Sequence, residues 1–172
     1  MKVINLHHQE NELIKLATEN NRQAQQQIYT HFSPKMLGVC RQYIKDIHQA
    51  EDIMITAFMK VFVNIKNFEN KGSFEGWIRR IMVNECISFI RVQKKIKYVE
   101  DETYFEESFN NIESQFSTDD IQSLIDSLPD GYKTVFNLYA IEGFKHKEIA
   151  SMLEINEGTS KSQLSHARKM LQ

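Results

Sequence analysis

Apolar residues recur at intervals of three and four along most of this chain, the spacing that lines one face of an α-helix. Leu13, Ile14, Leu16, Ala17, Ala24, Ile28, Tyr29 and Phe32 place one or two helices over residues 9–32. Ser33-Pro34 predicts a cap and first turn, hence a new helix over 35–45 that buries Met36, Leu37, Val39, Cys40, Tyr43 and Ile44. A further helix over 49–66 carries Ala50, Met54, Ala57, Phe58, Val61, Phe62 and Ile65 on its inner side. Ile53 and Ile55 fall partly off that stripe, beside Glu51 and Asp52, and mark a candidate partner surface. The glycine-containing, aromatic-flanked loop 67–73 leads into a long helix, 74–95, with Phe74, Trp77, Ile78, Ile81, Cys86 and Phe89 turned inward. No run of β-branched residues alternates convincingly with period two, so the fold class is read as all-α.

Residues 128–172 carry the clearest device. Leu128-Pro129 stops whatever precedes it, because proline lacks a backbone donor and disfavours helix at the residue before it. Tyr132, Val135, Phe136, Leu138, Tyr139 and Ile141 form one buried stripe, and Gly143 ends that helix. A short helix over 145–153 buries Ile149, Ala150, Met152 and Leu153. After the turn Glu154-Ile155-Asn156, Asn156 caps a third helix whose inner side is Ser160, Leu164, Ala167 and Leu171. Its outer side holds Thr159, Lys161, Ser162, Ser165, His166 and Lys169, short polar and basic groups suited to phosphates and base edges. That arrangement is a helix-turn-helix able to read duplex DNA. An ordinary three-helix bundle with a solvated face has the same pattern.

Charge divides the chain. Residues 1–99 hold 15 Lys and Arg against 9 Asp and Glu, residues 100–126 hold 9 acids and no base, and residues 127–172 hold 6 bases against 5 acids. The overall charge of −2 therefore says little about partners. Self-repulsion along the acidic stretch predicts a flexible linker over 98–118. Its interleaved Tyr104, Phe105, Phe109 and Phe116 suggest that it also docks. Two small helical domains, 1–97 and 119–172, flank it. In the first, Arg79, Arg80, Arg91, Lys94, Lys95 and Lys97 make the long helix basic, fit to follow phosphates while the loop before it holds an unstacked base. A solubilising face, with Trp77 as a plain core anchor, explains the same residues.

Several function classes find no support. No apolar stretch approaches the roughly 20 residues that span a bilayer. The N-terminal residues lack the apolar core and cleavage site of a signal peptide, so the expected setting is cytoplasmic, without stable membrane insertion. Cys40 and Cys86 lie in apolar helical surroundings and read as buried thiols. The histidines and cysteines show no metal-ligand spacing, and neither a glycine-rich phosphate loop nor a nucleophile-base arrangement is present. The expectation is a non-enzyme with no catalytic residue, no metal and no cofactor.

Residues 47–62, with Ala50-Glu51-Asp52 near their start, and residues 72–84, from Gly72-Ser73-Phe74-Glu75-Gly76-Trp77 to Asn84, resemble the core-polymerase and promoter-melting domain of sigma factors. Leu128-Pro129, Glu148-Ile149-Ala150 and Glu157 to Lys169 resemble their promoter −35 domain. The short two-domain layout resembles the extracytoplasmic-function group of the sigma-70 family. The resemblance implies a factor that directs bacterial RNA polymerase core to promoters and assists their melting. Glu51, Asp52, Ile55, Thr56 and Met59 would meet the clamp helices of the largest polymerase subunit. Phe68, Lys71, Ser73 and Phe74 would capture a base flipped from the −10 element, with Asn84 helping to read it and Arg79, Arg80 and Arg91 holding phosphates. Thr159, Lys161, Ser162, Ser165, His166 and Lys169 would face the −35 major groove. An anti-sigma factor is a partner that relatives commonly have.

The chain departs from the family pattern at Ile55-Thr56, where the family often has Gln-Glu, and at Gln163 and His166, where arginine is common. Ser160 replaces a usual valine and is expected to weaken packing by roughly 1 kcal/mol. The rival reading is a free-standing helix-turn-helix regulator whose N-terminal helices dimerise or sense a ligand. Strong duplex binding without polymerase would favour it.

Overall fold

A computed structural model describes the backbone of residues 2–97 and 118–172, with side chains over 10–93 and 123–172. All regular structure among the described residues is helical. The chain divides into two compact units, Met1–Cys86 and Ile87–Gln172, with the boundary inside one long helix. The acidic linker expected over 98–118 lies almost wholly outside the described residues, as do the side chains of Lys94, Lys95 and Lys97.

The first unit is built from α1 (Lys2–Thr18), α2 (Arg22–Tyr43), α3 (Ile47–Asn64) and the start of α4 (Phe74–Lys97). α1 packs on α2, and α2 on α3. Asn21 caps α2 by accepting from the Ala24 N–H at 3.0 Å, and Asp46 caps α3 by accepting from Gln49 N–H at 2.8 Å. The helix expected to begin at Ser33-Pro34 does not: α2 runs straight through Pro34. The proline lies on the exposed side, while Ile28, Phe32, Met36, Val39, Cys40 and Tyr43 form one unbroken buried stripe past it. Burying that stripe outweighs the ~3 kcal/mol that a proline costs inside a helix.

In α3 the stripe is wider than the sequence reading allowed. Ile53 is buried with Ala50, Met54, Ala57, Phe58 and Val61, whereas Ile55 is 49% exposed. Phe58 sits edge-on to Tyr29 with ring centres 4.9 Å apart, and this contact ties α3 to α2. Cys40 and Cys86 are free, fully buried thiols that neighbour each other, one on α2 and the other on α4. The neighbouring Cys40 sulfur and, after it, burial push the Cys86 thiol up, so it stays protonated.

The second unit holds α5 (Thr118–Ser127), α6 (Asp130–Phe136), α7 (His146–Leu153) and α8 (Glu157–Met170). α6 continues as a π-helical turn, Asn137–Ile141, and this shifts the phase of the expected stripe. Val135 and Leu138 are buried, but Ile141 is 42% exposed and Tyr139 half-buried. Gly143, at φ +76°, turns the chain back so that Phe144 N–H reaches Leu138 O at 2.9 Å. Lys133, 1% exposed, places its ammonium 3.4 Å from Asp126 and so connects α6 to α5.

Candidate nucleic-acid interface

The turn of the helix-turn-helix is built from backbone geometry. Glu148 Oε2 accepts from Lys145 N–H at 2.8 Å and fixes the start of α7. Glu154 ends it in the left-handed region at φ +56°, and Ile155 N–H closes back on Ala150 O. Asn156 Oδ1 then accepts from both Thr159 N–H and the Thr159 hydroxyl, starting α8. Ser160, Leu164 and Ala167 are buried on its inner side, and Lys161, Ser162, Ser165, His166 and Lys169 are exposed on its outer side. Thr159 is half-buried and committed to the cap. Ser162 donates its hydroxyl to Thr159 O within the helix. Lys161 pairs with Glu157 at 2.7 Å and holds that carboxyl below the usual carboxylate range. The His166 ring stacks on Tyr132, centres 5.5 Å apart, which aims it from α8 against α6.

Ser160 is not the packing defect expected of it. Its Oγ lies 3.0 Å from His146 Nδ1, so the buried hydroxyl is satisfied, and His146 in turn stacks on Tyr139 at 4.7 Å. Ser160→Val is therefore expected to lower stability by about 1 kcal/mol, because His146 loses its partner. A thermal melt of the full chain checks this; a raised Tm would restore the packing-defect view.

In the first unit the loop before α4 is framed by aromatic rings. Phe74 lies 5.1 Å from Phe68, 5.7 Å from Trp77 in a stacked pair, and 5.8 Å from Phe32. Phe74, expected among the DNA contacts, is only 1% exposed; it floors the loop rather than presenting a face. Phe68 and Trp77 are half-buried above it. Ser73 acts as a cap: its Oγ accepts from Gly76 N–H at 3.0 Å, and Trp77 N–H reaches Ser73 O. Gly72, at φ +104°, takes a backbone conformation open to little but glycine. Lys71 pairs with Glu69 at the exposed tip. On α4, Asn84 and Arg80 are exposed and Arg79 is half-buried, within 3.5 Å of Gln42. Arg91, in the second unit, pairs with Glu154 at 2.8 Å and also reaches Met152 O.

The outer face of α3 offers a second surface. Ile55, Met59 (63% exposed) and Val63 (76% exposed) stand four residues apart as an apolar ridge beside exposed Asp52 and Thr56. Thr56 spends its hydroxyl on Asp52 O at 2.9 Å, so the ridge there is apolar rather than donating. Glu51 is half-buried near His48. The sequence reading missed Val63, although the i+4 step from Met59 points to it. No described helix is long and apolar enough to cross a membrane.

Sigma-70 region 2 matches residues 28–96, and sigma-70 region 4 matches residues 118–171. This chain belongs to the extracytoplasmic-function group of the sigma-70 family. It is 32% identical to RNA polymerase sigma factor SigV of Bacillus subtilis over 129 residues, 75% of this chain and 77% of that one. It is 30% identical to the ECF RNA polymerase sigma factor SigW of the same organism, with 92% of each chain covered. The fold is similar to that of the sigma factor RpoE solved with the anti-sigma factor NepR from Bartonella quintana. That likeness has a TM-score of 0.51 at 21% identity, covering 86% of this chain and 93% of the other. As a sigma factor it directs RNA polymerase core to promoter DNA.

Proposed function

We propose that this sigma factor divides its work among three surfaces. The α3 ridge of Ile55, Met59 and Val63, with Glu51, Asp52 and Thr56 beside it, docks on the clamp helices of the largest polymerase subunit. The loop framed by Phe68, Phe74 and Trp77 captures a base extruded from the −10 element, with Lys71, Arg79, Arg80 and Asn84 along the strand. The outer face of α8 enters the −35 major groove through Lys161, Ser162, Ser165, His166 and Lys169, while Thr159 sets the start of that helix. Arg91 joins the phosphate contacts only by leaving Glu154.

The observation that carries this reading is the aromatic-floored, glycine-turned loop beside an α3 whose outer face stays apolar and exposed. A preformed pocket offsets the few kcal/mol of unstacking that base extrusion costs. The functional domains are 1–97 and 119–172, with the acidic 98–118 between them. Bond chemistry belongs to the polymerase, so the protein acts in the cytoplasm without catalytic residues of its own. An anti-sigma factor that covers the α3 ridge would silence it; the similar fold of RpoE was solved with a partner of that class, NepR.

Run-off transcription by bacterial core polymerase on genomic fragments, with and without this protein, tests the reading. Discrete new transcripts are expected. Their absence together with tight duplex binding by the protein alone would favour the free-standing regulator. Lys161→Ala is expected to weaken −35 binding and reduce the salt slope by about 1. An unchanged slope in a salt titration would leave Lys161 with Glu157 and off the phosphate list.

A further inference from the structure

The loop supplies only one wall of the cleft it borders. A hollow of about 570 Å³ opens between loop residues Phe68, Asn70 and Ser73 on one side and Glu10 and Asn11 of α1 with His31 of α2 on the other. That is ample for a nucleobase, since small-molecule sites run from about 300 to 1,000 Å³. Glu10 is half-buried, whereas Asn11 and His31 are exposed. Glu10 and Asn11 lie before the region 2 match, which begins at residue 28.

A carboxylate at the mouth of a cleft that admits a polyanion is a liability unless it accepts a hydrogen bond from the strand. The donors available on an unstacked base are its exocyclic amine and ring N–H groups. Cytosine, adenine and guanine each carry an amine. Thymine carries none, and its single ring N–H is flanked by two carbonyl oxygens that a carboxylate repels. We propose that the α1 wall, with Glu10 as acceptor and Asn11 and His31 beside it, makes the pocket select an amine-bearing base and reject thymine. The inference rests on the reading of the loop as a base-capturing site and adds a specificity wall to it. Of the two carboxylates that border the cleft, Glu75 is already paired with Lys35 at 2.5 Å, so the charged acceptor assigned to the base is Glu10.

The test uses holoenzyme reconstituted from core polymerase and the full chain, on a promoter library with the −10 element randomised and the −35 element held fixed. Transcripts are sequenced for wild type, Glu10→Ala, Glu10→Gln and Phe68→Ala. One −10 position is expected to exclude thymine about tenfold with wild type, the scale of one good base contact. At that position alone, Glu10→Ala and Glu10→Gln should admit thymine to within about twofold of the other bases. Glu10→Asn, which also removes the carboxylate charge, gives the same reading should either of the other Glu10 variants melt early. Base profiles of both Glu10 variants superimposable on wild type, or no thymine penalty in wild type, would overturn the proposal while leaving loop capture intact. A Phe68→Ala profile equal to wild type would instead overturn loop capture, and the α1 wall with it.

Discussion

The double substitution Ile55→Asp with Met59→Asp is expected to weaken association with polymerase core by about 100-fold or more while the helical melting curve barely moves. Each side chain projects from the outer face of α3, 49% and 63% exposed, so neither holds the bundle together. Surface changes of this kind usually stay within about 0.5 kcal/mol of stability. In a complex the same ridge becomes dry, and buried apolar area contributes about 25 cal/mol per Å². A carboxylate set there loses that burial and must also be desolvated without a partner, and central interface residues commonly cost about 2 kcal/mol or more apiece. Two such losses exceed the 2.8 kcal/mol or so that separates hundredfold affinities. Core affinity equal to wild type, measured by titration with labelled protein, would move the docking surface off α3. Val63→Asp extends the test one turn further, since at 76% exposed it has the least structural role of the three.

What could be read from the chain, and what could not, follows from where the determining contacts lie. Caps are local, so Asn156 announces α8 from sequence and its amide oxygen sits on Thr159 as required. Gly143 is equally legible, because few other residues accept φ +76°. Pro34 misled, because its cost is local whereas the stripe from Ile28 to Tyr43 that overrides it is a property of the whole bundle. Ile141 misled for a different reason: a single π-turn changes the helical phase, and no residue pattern flags it. The candidate surfaces divide in the same way. The basic and polar outer side of α8 could be counted off at three- and four-residue steps. The pairing of Ser160 with His146 spans two helices and fourteen residues, so Ser160 read as a defect until its partner was in view. Ser73 and Phe74 were recognised as part of a loop signature, but residue type could not tell a DNA contact from a cap and a floor.

That last distinction leads to a split between two neighbouring aromatics. Phe74→Ala is expected to destabilise the first unit by about 3–5 kcal/mol, the usual cost of emptying a buried phenylalanine site. Phe74 is 1% exposed and touches Phe32, Phe68 and Trp77 at once, so its loss removes the floor of the loop together with part of the core. Trp77→Ala should cost less, about 1–2 kcal/mol, because the ring is half-buried and its stacking on Phe74 accounts for much of what it contributes. Its functional effect runs the other way. With Trp77 gone, Phe68 loses the ring 5.6 Å away that holds it over the pocket, and the cleft no longer meets an incoming base preformed. Unstacking must then be offset by ordering the loop at the same moment, so open-complex formation should fall by more than about tenfold while core binding through α3 is retained. Trp77→Phe should recover most of it. Chemical melts of the isolated chain give the first half of the split, and promoter opening by reconstituted holoenzyme gives the second. Normal opening with Trp77→Ala would reduce that side chain to packing, and an undisturbed melt with Phe74→Ala would mean that the loop does not rest on it.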